Sequence, residues 1–227
     1  MNTRGAPLSI DDIRLAAQAP RPGWLAQSRM LPIPRGPRSS DGAPRIGAVL
    51  LAILNRPQGL CLLLTRRTLF TRNHKGQVSF PGGAADDGDA SPWVTALREA
   101  REEAGLDPAM VTPLGALTPL YVVASNFYVH PFLGWVERPP EAWQISVAEV
   151  AEVIEAPLDN LLDPAALSEE TWWVSGHLMR VPFYRFREHR VWGATAMMFS
   201  ELEVMLAALA PAVYKEDARR STISPLR

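Results

Sequence analysis

Leu63–Leu106, LLTRRTLFTRNHKGQVSFPGGAADDGDASPWVTALREAREEAGL, changes character several times along its length. It opens as an apolar strand pattern, becomes basic, and returns to a short strand at Gln77–Phe80 that runs into Pro81-Gly82-Gly83. An acidic loop, Ala84–Ser91, follows. Trp93, Val94, Leu97 and Ala100 then recur at helical spacing, which predicts a helix over Trp93–Ala104 with one face toward a core. Ser91 or Asp89 caps it, and Pro92 occupies a first-turn position where no amide hydrogen is needed. Gly105 ends it in a left-handed cap, and Asp107-Pro108 prevents continuation.

The charged residues of this helix carry the chemistry. Positions three and four apart share a face, so Glu99, Glu102 and Glu103 project from one side. Three carboxylates this close repel one another unless a cation sits among them. Ligation by oxygen alone suits Mg²⁺ or Mn²⁺, which complete their shells with water and substrate phosphate. Arg98, four residues before Glu102, can orient a glutamate. A solvated charged face has the same composition. The position after a strand and a glycine pair separates the two readings, because backbone at Gly83 can approach a metal or phosphate closely.

Upstream, Arg45–Leu54 (RIGAVLLAIL) is a nearly continuous apolar run, hence a strand buried on both faces. Asn55–Gly59 has turn chemistry, and Leu60–Thr65 is the returning strand of a hairpin. Arg66, Arg67, Arg72 and Lys75 make the segment before Gly76 positive. Cys61, the only cysteine, lies in an apolar run and reads as core. Downstream, Val111–Leu117, Leu120–Ala124 and Phe127–Val136 are strand-like. A loop enters a strand at Val150–Glu155, Pro157–Leu162 is a short helix, and Thr171–Val174 with Val181–Phe186 form a late hairpin. Gly193–Leu209 is an apolar helix that packs on the sheet. At the start, residues 1–8 are loose and Ser9 with Asp12 forms a capping box for a helix over Ser9–Ala17. The Pro- and Arg-rich stretch 19–44 is an irregular arm whose large apolar residues dock on the domain or on a partner chain. The expected organisation is an arm over 1–44, a catalytic domain over 45–212 and a polar tail over 213–227. The alternation of strands with few helices argues for an α/β fold, a mixed sheet with helices on its faces.

A net charge of −1 gives no bulk support to a nucleic-acid or anionic-membrane partner. The absence of a bilayer-length apolar run or a secretion signal makes a cytoplasmic location the expectation.

Arg98-Glu99-Ala100-Arg101-Glu102-Glu103-Ala104-Gly105-Leu106 resembles the second half of the Nudix box. The first half departs from it: five residues separate Gly83 from Asp89, an Asp in the place of Glu, and eight separate Asp89 from Arg98. Leu63-Leu64-Thr65-Arg66-Arg67-Thr68, Arg72, Gly76 and Phe80-Pro81-Gly82-Gly83 resemble, at matching spacing, the motif of the coenzyme A pyrophosphatase branch. The resemblance implies a Nudix α/β/α sandwich and metal-dependent hydrolysis of the diphosphate in coenzyme A or its thioesters. It places Glu99 and Glu103 at metal-ligating positions, Glu102 at a third, often shared one, and Gly83 where a carbonyl approaches the metal. Arg98 matches the arginine that orients the glutamates. The box does not fix the general base; Glu152 is the candidate, with Glu149 as the alternative. Arg67, Arg72 and Gly82 are the substrate-side candidates, the arginines for phosphate. His189–Ala196 resembles a late motif of the branch, in which Trp192 lines the pocket or belongs to the core. The apolar residues of the arm would suit a homodimer.

Overall fold

Along the strand β1 (Arg45–Arg56), Ala48, Leu50, Ala52 and Leu54 point to one side and Leu51 and Ile53 to the other. All six are fully buried. Each large aliphatic among them contributes about 1.5–3 kcal/mol by leaving water, which fixes this strand at the centre. The computed structural model describes residues 7–34, 42–69, 76–174 and 176–209. After β1 come β2 (Gly59–Arg67), β3 (Val78–Ser79), β4 (Gly82–Ala84), β5 (Thr112–Ala116), β6 (Leu120–Val122), β7 (Phe127–Val136) and β8 (Val150–Pro157). Together they make a mixed eight-stranded sheet. Among the described strands only β1 and β7 pair in parallel. The β1–β2 hairpin forms as expected, and along the same edge of β1 the β4 segment takes over the pairing at Gly47–Val49. β3 and β8 pair with β2, and β5 and β6 with β7, all antiparallel.

Among the described residues, four α-helices accompany these strands: α1 (Ile10–Gln18), α2 (Trp24–Gln27), α3 (Pro92–Ala104) and α4 (Gly193–Ala207). α3 covers one sheet face, where Ala96, Ala100 and Ala104 meet Ala48, Leu50, Ala52, Leu54, Cys61 and Leu63. The opposite face, with Leu51, Ile53, Leu62 and Leu64, is covered by α4 and by a second, three-stranded sheet. That sheet comprises β9 (Leu167–Val174), β10 (His177–Phe186) and β11 (His189–Trp192). α4 is apolar nearly all round because it is buried nearly all round. The fold is therefore the α/β arrangement expected, with a mixed sheet covered on both faces.

Some elements differ from expectation. The late hairpin is longer at both ends, and β11 joins it as a third strand. The short helix after β8 is a 3₁₀ turn, Leu158–Leu162. α1 forms with both halves of its capping box. Of the segment expected to be loose, residues 1–6 lie outside the described residues, and Leu8 is buried with its N–H on Asp159 (3.1 Å). The arm is not irregular throughout: α2 and a 3₁₀ turn, Ser28–Met30, order part of it. Ile13, Ala16 and Met30 join the core under α4, whereas Trp24, Leu25 and Ile33 stay exposed. Residues 213–227 lie outside the described residues.

Candidate active site

α3 is defined at both ends. The Ser91 hydroxyl accepts the Val94 N–H, Pro92 takes the first turn, and Gly105 adopts φ 71° and donates its N–H to Arg101 O at 2.8 Å. The alanines facing the sheet let the helix lie close to it. That presses Glu99, beside the alanine stripe, against β4. A Cβ placed on Gly83 would lie 2.3 Å from Glu99 Oε1, so only glycine admits the carboxylate here. A Cβ on Gly82 would lie 2.4 Å from the Ala48 carbonyl oxygen. The glycine pair is thus strand, not turn, and its lack of side chains brings β4 against both β1 and α3.

Arg98 ties the acidic groups together. Its Nη1 donates to Glu99 Oε1 (3.0 Å) and Glu102 Oε2 (3.1 Å), its Nη2 to Ala84 O (2.9 Å), and its Nε to Asp89 Oδ1 (3.1 Å). Asp89 also accepts from Thr95 Oγ1 and from the Asp86 N–H. The Arg98 guanidinium holds the Asp89 carboxyl well below the usual carboxylate range. Asp89, at the irregular position of the motif, is therefore the anchor that fixes Arg98, with Ser91 rather than Asp89 as the helix cap.

Glu103 is 2% exposed. Its Oε2 accepts from Thr65 Oγ1 at 3.0 Å, and its Oε1 lies 3.6 Å from Arg67 Nη1. Burial pushes its pKa up to about 7 against the pull of Thr65 and Arg67, and Glu99 and Glu149 add to the rise. Burial likewise raises Glu99 against the pull of Arg98, with Glu102 and Glu149 repelling it. Glu149 comes close because its loop closes over the end of α3. The Ser146 N–H donates to Glu103 O (3.2 Å), the Thr68 N–H donates to Glu149 O (2.8 Å), and Gln144 packs where any Cβ on Gly105 would collide. Glu149 Oε2 lies 3.9 Å from Arg67 Nη2.

Glu152 is placed elsewhere. In β8, Val153 and Glu155 face the α3 layer, while Ile154 and Ala156 face the α4 layer. Glu152 has the latter parity, opposite Arg66, whose Nε donates to it at 2.9 Å. It is 3.5 Å from His189 Nε2, and Glu188 is equally close to that nitrogen. The ligand atoms of Glu152, Glu188 and His189 lie within 4.8 Å of one another, across the sheet from the box glutamates. The register shifts at Arg66/Arg67, where Arg67 opposes Val150 and Ala151 is skipped; Glu149 lies just before the strand, its N–H on Ser146 O (2.9 Å), in the turn beside Arg67. Trp192 packs edge-on against Trp172 in the three-stranded sheet. Arg72 lies outside the described residues. The contribution of Thr65 escaped the sequence reading, although alternation from Cys61 and Leu63 puts it on the α3 face.

The carboxylates of Glu99 and Glu103 are desolvated, crowded and only partly compensated by Arg98 and Arg67. An all-oxygen donor set in that condition fits a hard divalent cation.

A strand–glycine–helix unit that crowds carboxylates against a mixed sheet is suited to holding a divalent cation against phosphate oxygens. The model of the NUDIX domain matches residues 44–181, and the chain belongs to the Nudix hydrolases. It is 38% identical over 172 residues to an uncharacterized Nudix hydrolase NudL of Photorhabdus laumondii, covering 76% of this chain and 90% of that one. A NudL of Salmonella paratyphi B is 39% identical over 163 residues, 71% of this chain and 83% of the relative. Among solved structures, the Nudix hydrolase RenU from M. smegmatis shares the fold with a TM-score of 0.50 at 19% identity, over 77% of this chain and 96% of that one. Nudix hydrolases generally use divalent metal ions.

Proposed function

We propose that this chain hydrolyses the diphosphate of coenzyme A or its thioesters to 4′-phosphopantetheine, or its acyl form, and adenosine 3′,5′-bisphosphate. The observation that carries the reaction is the convergence of Glu99, Glu103 and Glu149 beside Gly83 and Arg67, with Glu103 almost wholly buried. Glu99, Glu102 and Glu103, with the Gly83 carbonyl, would hold Mg²⁺ or Mn²⁺. The cation supplies charge neutralisation at the diphosphate and acidifies water near neutral pH. Arg98 orients Glu99 and Glu102, and Asp89 orients Arg98. Glu149 takes the water proton as general base, since it shares the sheet face of the box glutamates and Glu152 does not.

Support for coenzyme A comes from the motif over Leu63–Gly83, which bears Arg67 at the edge of the carboxylate cluster and Arg72 further along. Gly82 belongs to the same motif and keeps β4 against β1. The proposed catalytic unit spans residues 45–212, preceded in sequence by the arm 1–44, whose described part packs against α4, and followed by the polar segment 213–227. No helix among the described residues is long and apolar enough to cross a membrane, and the proposed substrate is a small molecule rather than a nucleic acid. Incubating the protein with coenzyme A and Mg²⁺ or Mn²⁺ should release adenosine 3′,5′-bisphosphate, detected chromatographically. Cleavage of ADP-ribose with none of coenzyme A would overturn the substrate and keep the reaction.

A further inference from the structure

We propose that Arg67 and the divalent cation compete for the carboxylate of Glu103, and that the guanidinium turns from Glu103 and Glu149 to the substrate diphosphate when the cation takes Glu103. The proposal rests on the reading of Glu103 as a metal ligand.

Arg67 differs from the other described arginines around the sheet end. Arg98 is saturated by carboxylates and a carbonyl. Arg66 is bonded to Glu152, and Arg56 to Glu155 and two proline carbonyls. The Arg67 side chain makes no hydrogen bond among the described residues. Its nearest carboxylate oxygens are 3.6 and 3.9 Å away, beyond hydrogen-bond length. Its Nε is buried with no hydrogen-bond partner among the described residues. Charge alone therefore holds a planar fork of donors between two anions, with its donors unused.

The backbone beneath it is fixed. The Arg67 N–H donates to Gln77 O at 3.0 Å and the Thr68 N–H to Glu149 O at 2.8 Å. Only the side chain can move. Glu103 Oε2 is engaged by Thr65, so Oε1, which faces Arg67, is the oxygen left for a cation. A divalent ion there repels the guanidinium and neutralises the charge that retains it. A diphosphate supplies what Arg67 lacks, paired acceptor oxygens at bidentate spacing. Metal and Arg67 are thus antagonists at Glu103 and partners on the substrate.

The test is Mn²⁺ alone, titrated into the full-length chain and followed by the electron paramagnetic resonance of the free ion. Arg67→Gln should bind Mn²⁺ about tenfold tighter than wild type, within the usual range of coupling between sites, and should show a raised KM with a smaller change in kcat. Arg67→Lys keeps the charge but not the fork, so it should bind Mn²⁺ as wild type does and still show the raised KM. Unchanged or weaker Mn²⁺ binding by folded Arg67→Gln overturns the competition. Glu103→Gln separates the two readings: it should lose tight Mn²⁺ binding, and if it does not, the metal-ligand assignment itself falls. Should Arg67→Gln not fold, Mg²⁺ titrated into the ¹⁵N-labelled wild type gives the answer. The Arg67 Nε–H signal, assigned by its loss in Arg67→Lys, should shift and exchange faster with water, and an unmoved signal overturns the proposal.

Discussion

Glu103 sits where a carboxylate is least at ease: 2% exposed, with one hydroxyl donor and one guanidinium too distant for a hydrogen bond. A group in that setting stays ionised near neutral pH only with help from a cation. Glu103→Gln keeps an acceptor for Thr65 and removes the charge. Turnover should fall by about 10²-fold or more, while the thermal midpoint holds or rises, as paired kinetics and calorimetry would show. The general base is tested by two variants side by side. Glu149→Gln should lose about 10²–10⁴-fold in kcat, whereas Glu152→Gln should remain within about twofold of wild type. A large loss in Glu152→Gln with none in Glu149→Gln would reverse the assignment. Both glutamates are visible in the SVAEVAEV segment, and single-residue chemistry does not choose between them. Their surroundings do: Glu152 has the parity of Ile154 and Ala156 in β8, whereas Glu149 lies in the turn before the strand, tied to Thr68 and beside Arg67.

At the scale of elements, the join between β4 and α3 is set by the glycines. Gly83→Ala would drive a methyl into the Glu99 carboxylate, so metal affinity and activity should fall with little change in global stability. Gly82→Ala meets backbone instead, at Ala48 O, and should cost about 1–3 kcal/mol of stability. Denaturant melts of the two variants would show whether the effects separate in this way. β8 contributes a second, independent term. Burial pushes Glu155 up, but Arg56 and Trp143 overcome it and hold the carboxyl below its ordinary value. Its folded pKa is thus depressed, so its contribution is fully present above the unfolded value of about 4.3 and is lost as pH falls through the folded one. The gap in urea midpoint between wild type and Glu155→Gln should be constant from about pH 7 to 5 and close below about pH 4.

For the molecule as a whole, the arm is tied to the core through α4. Glu201 is fully buried and accepts from the Gly23 N–H, Gln27 Nε2, the Thr118 N–H and Thr118 Oγ1. Ser200 Oγ donates to Ala26 O beside it. One carboxylate thereby joins α2, α4 and the loop after β5. Glu201→Ala leaves these donors unmade and should cost about 2–4 kcal/mol. Limited proteolysis should then cut the arm first, before the sheet. Equal cutting rates in variant and wild type would contradict that role.

Periodicity alone determined most elements. The apolar run of β1, the spacing of α3, its glycine stop and the capping box of α1 are local patterns with local causes, so the mixed α/β fold and the row of acidic residues were legible before any contact was known. What tertiary structure decided has non-local causes. β4 and β11 are too short to declare themselves and exist because β1 and β10 offer them hydrogen bonds. Arm residues 24–30 are helical because α4 receives them. Glu149 replaces Glu152 as the proposed base because β8 turns Glu152 to the α4 face, while a bond from the Thr68 N–H, far away in sequence, holds the turn that bears Glu149 beside Arg67. A sequence written in one dimension does not show which partner a strand or turn will meet.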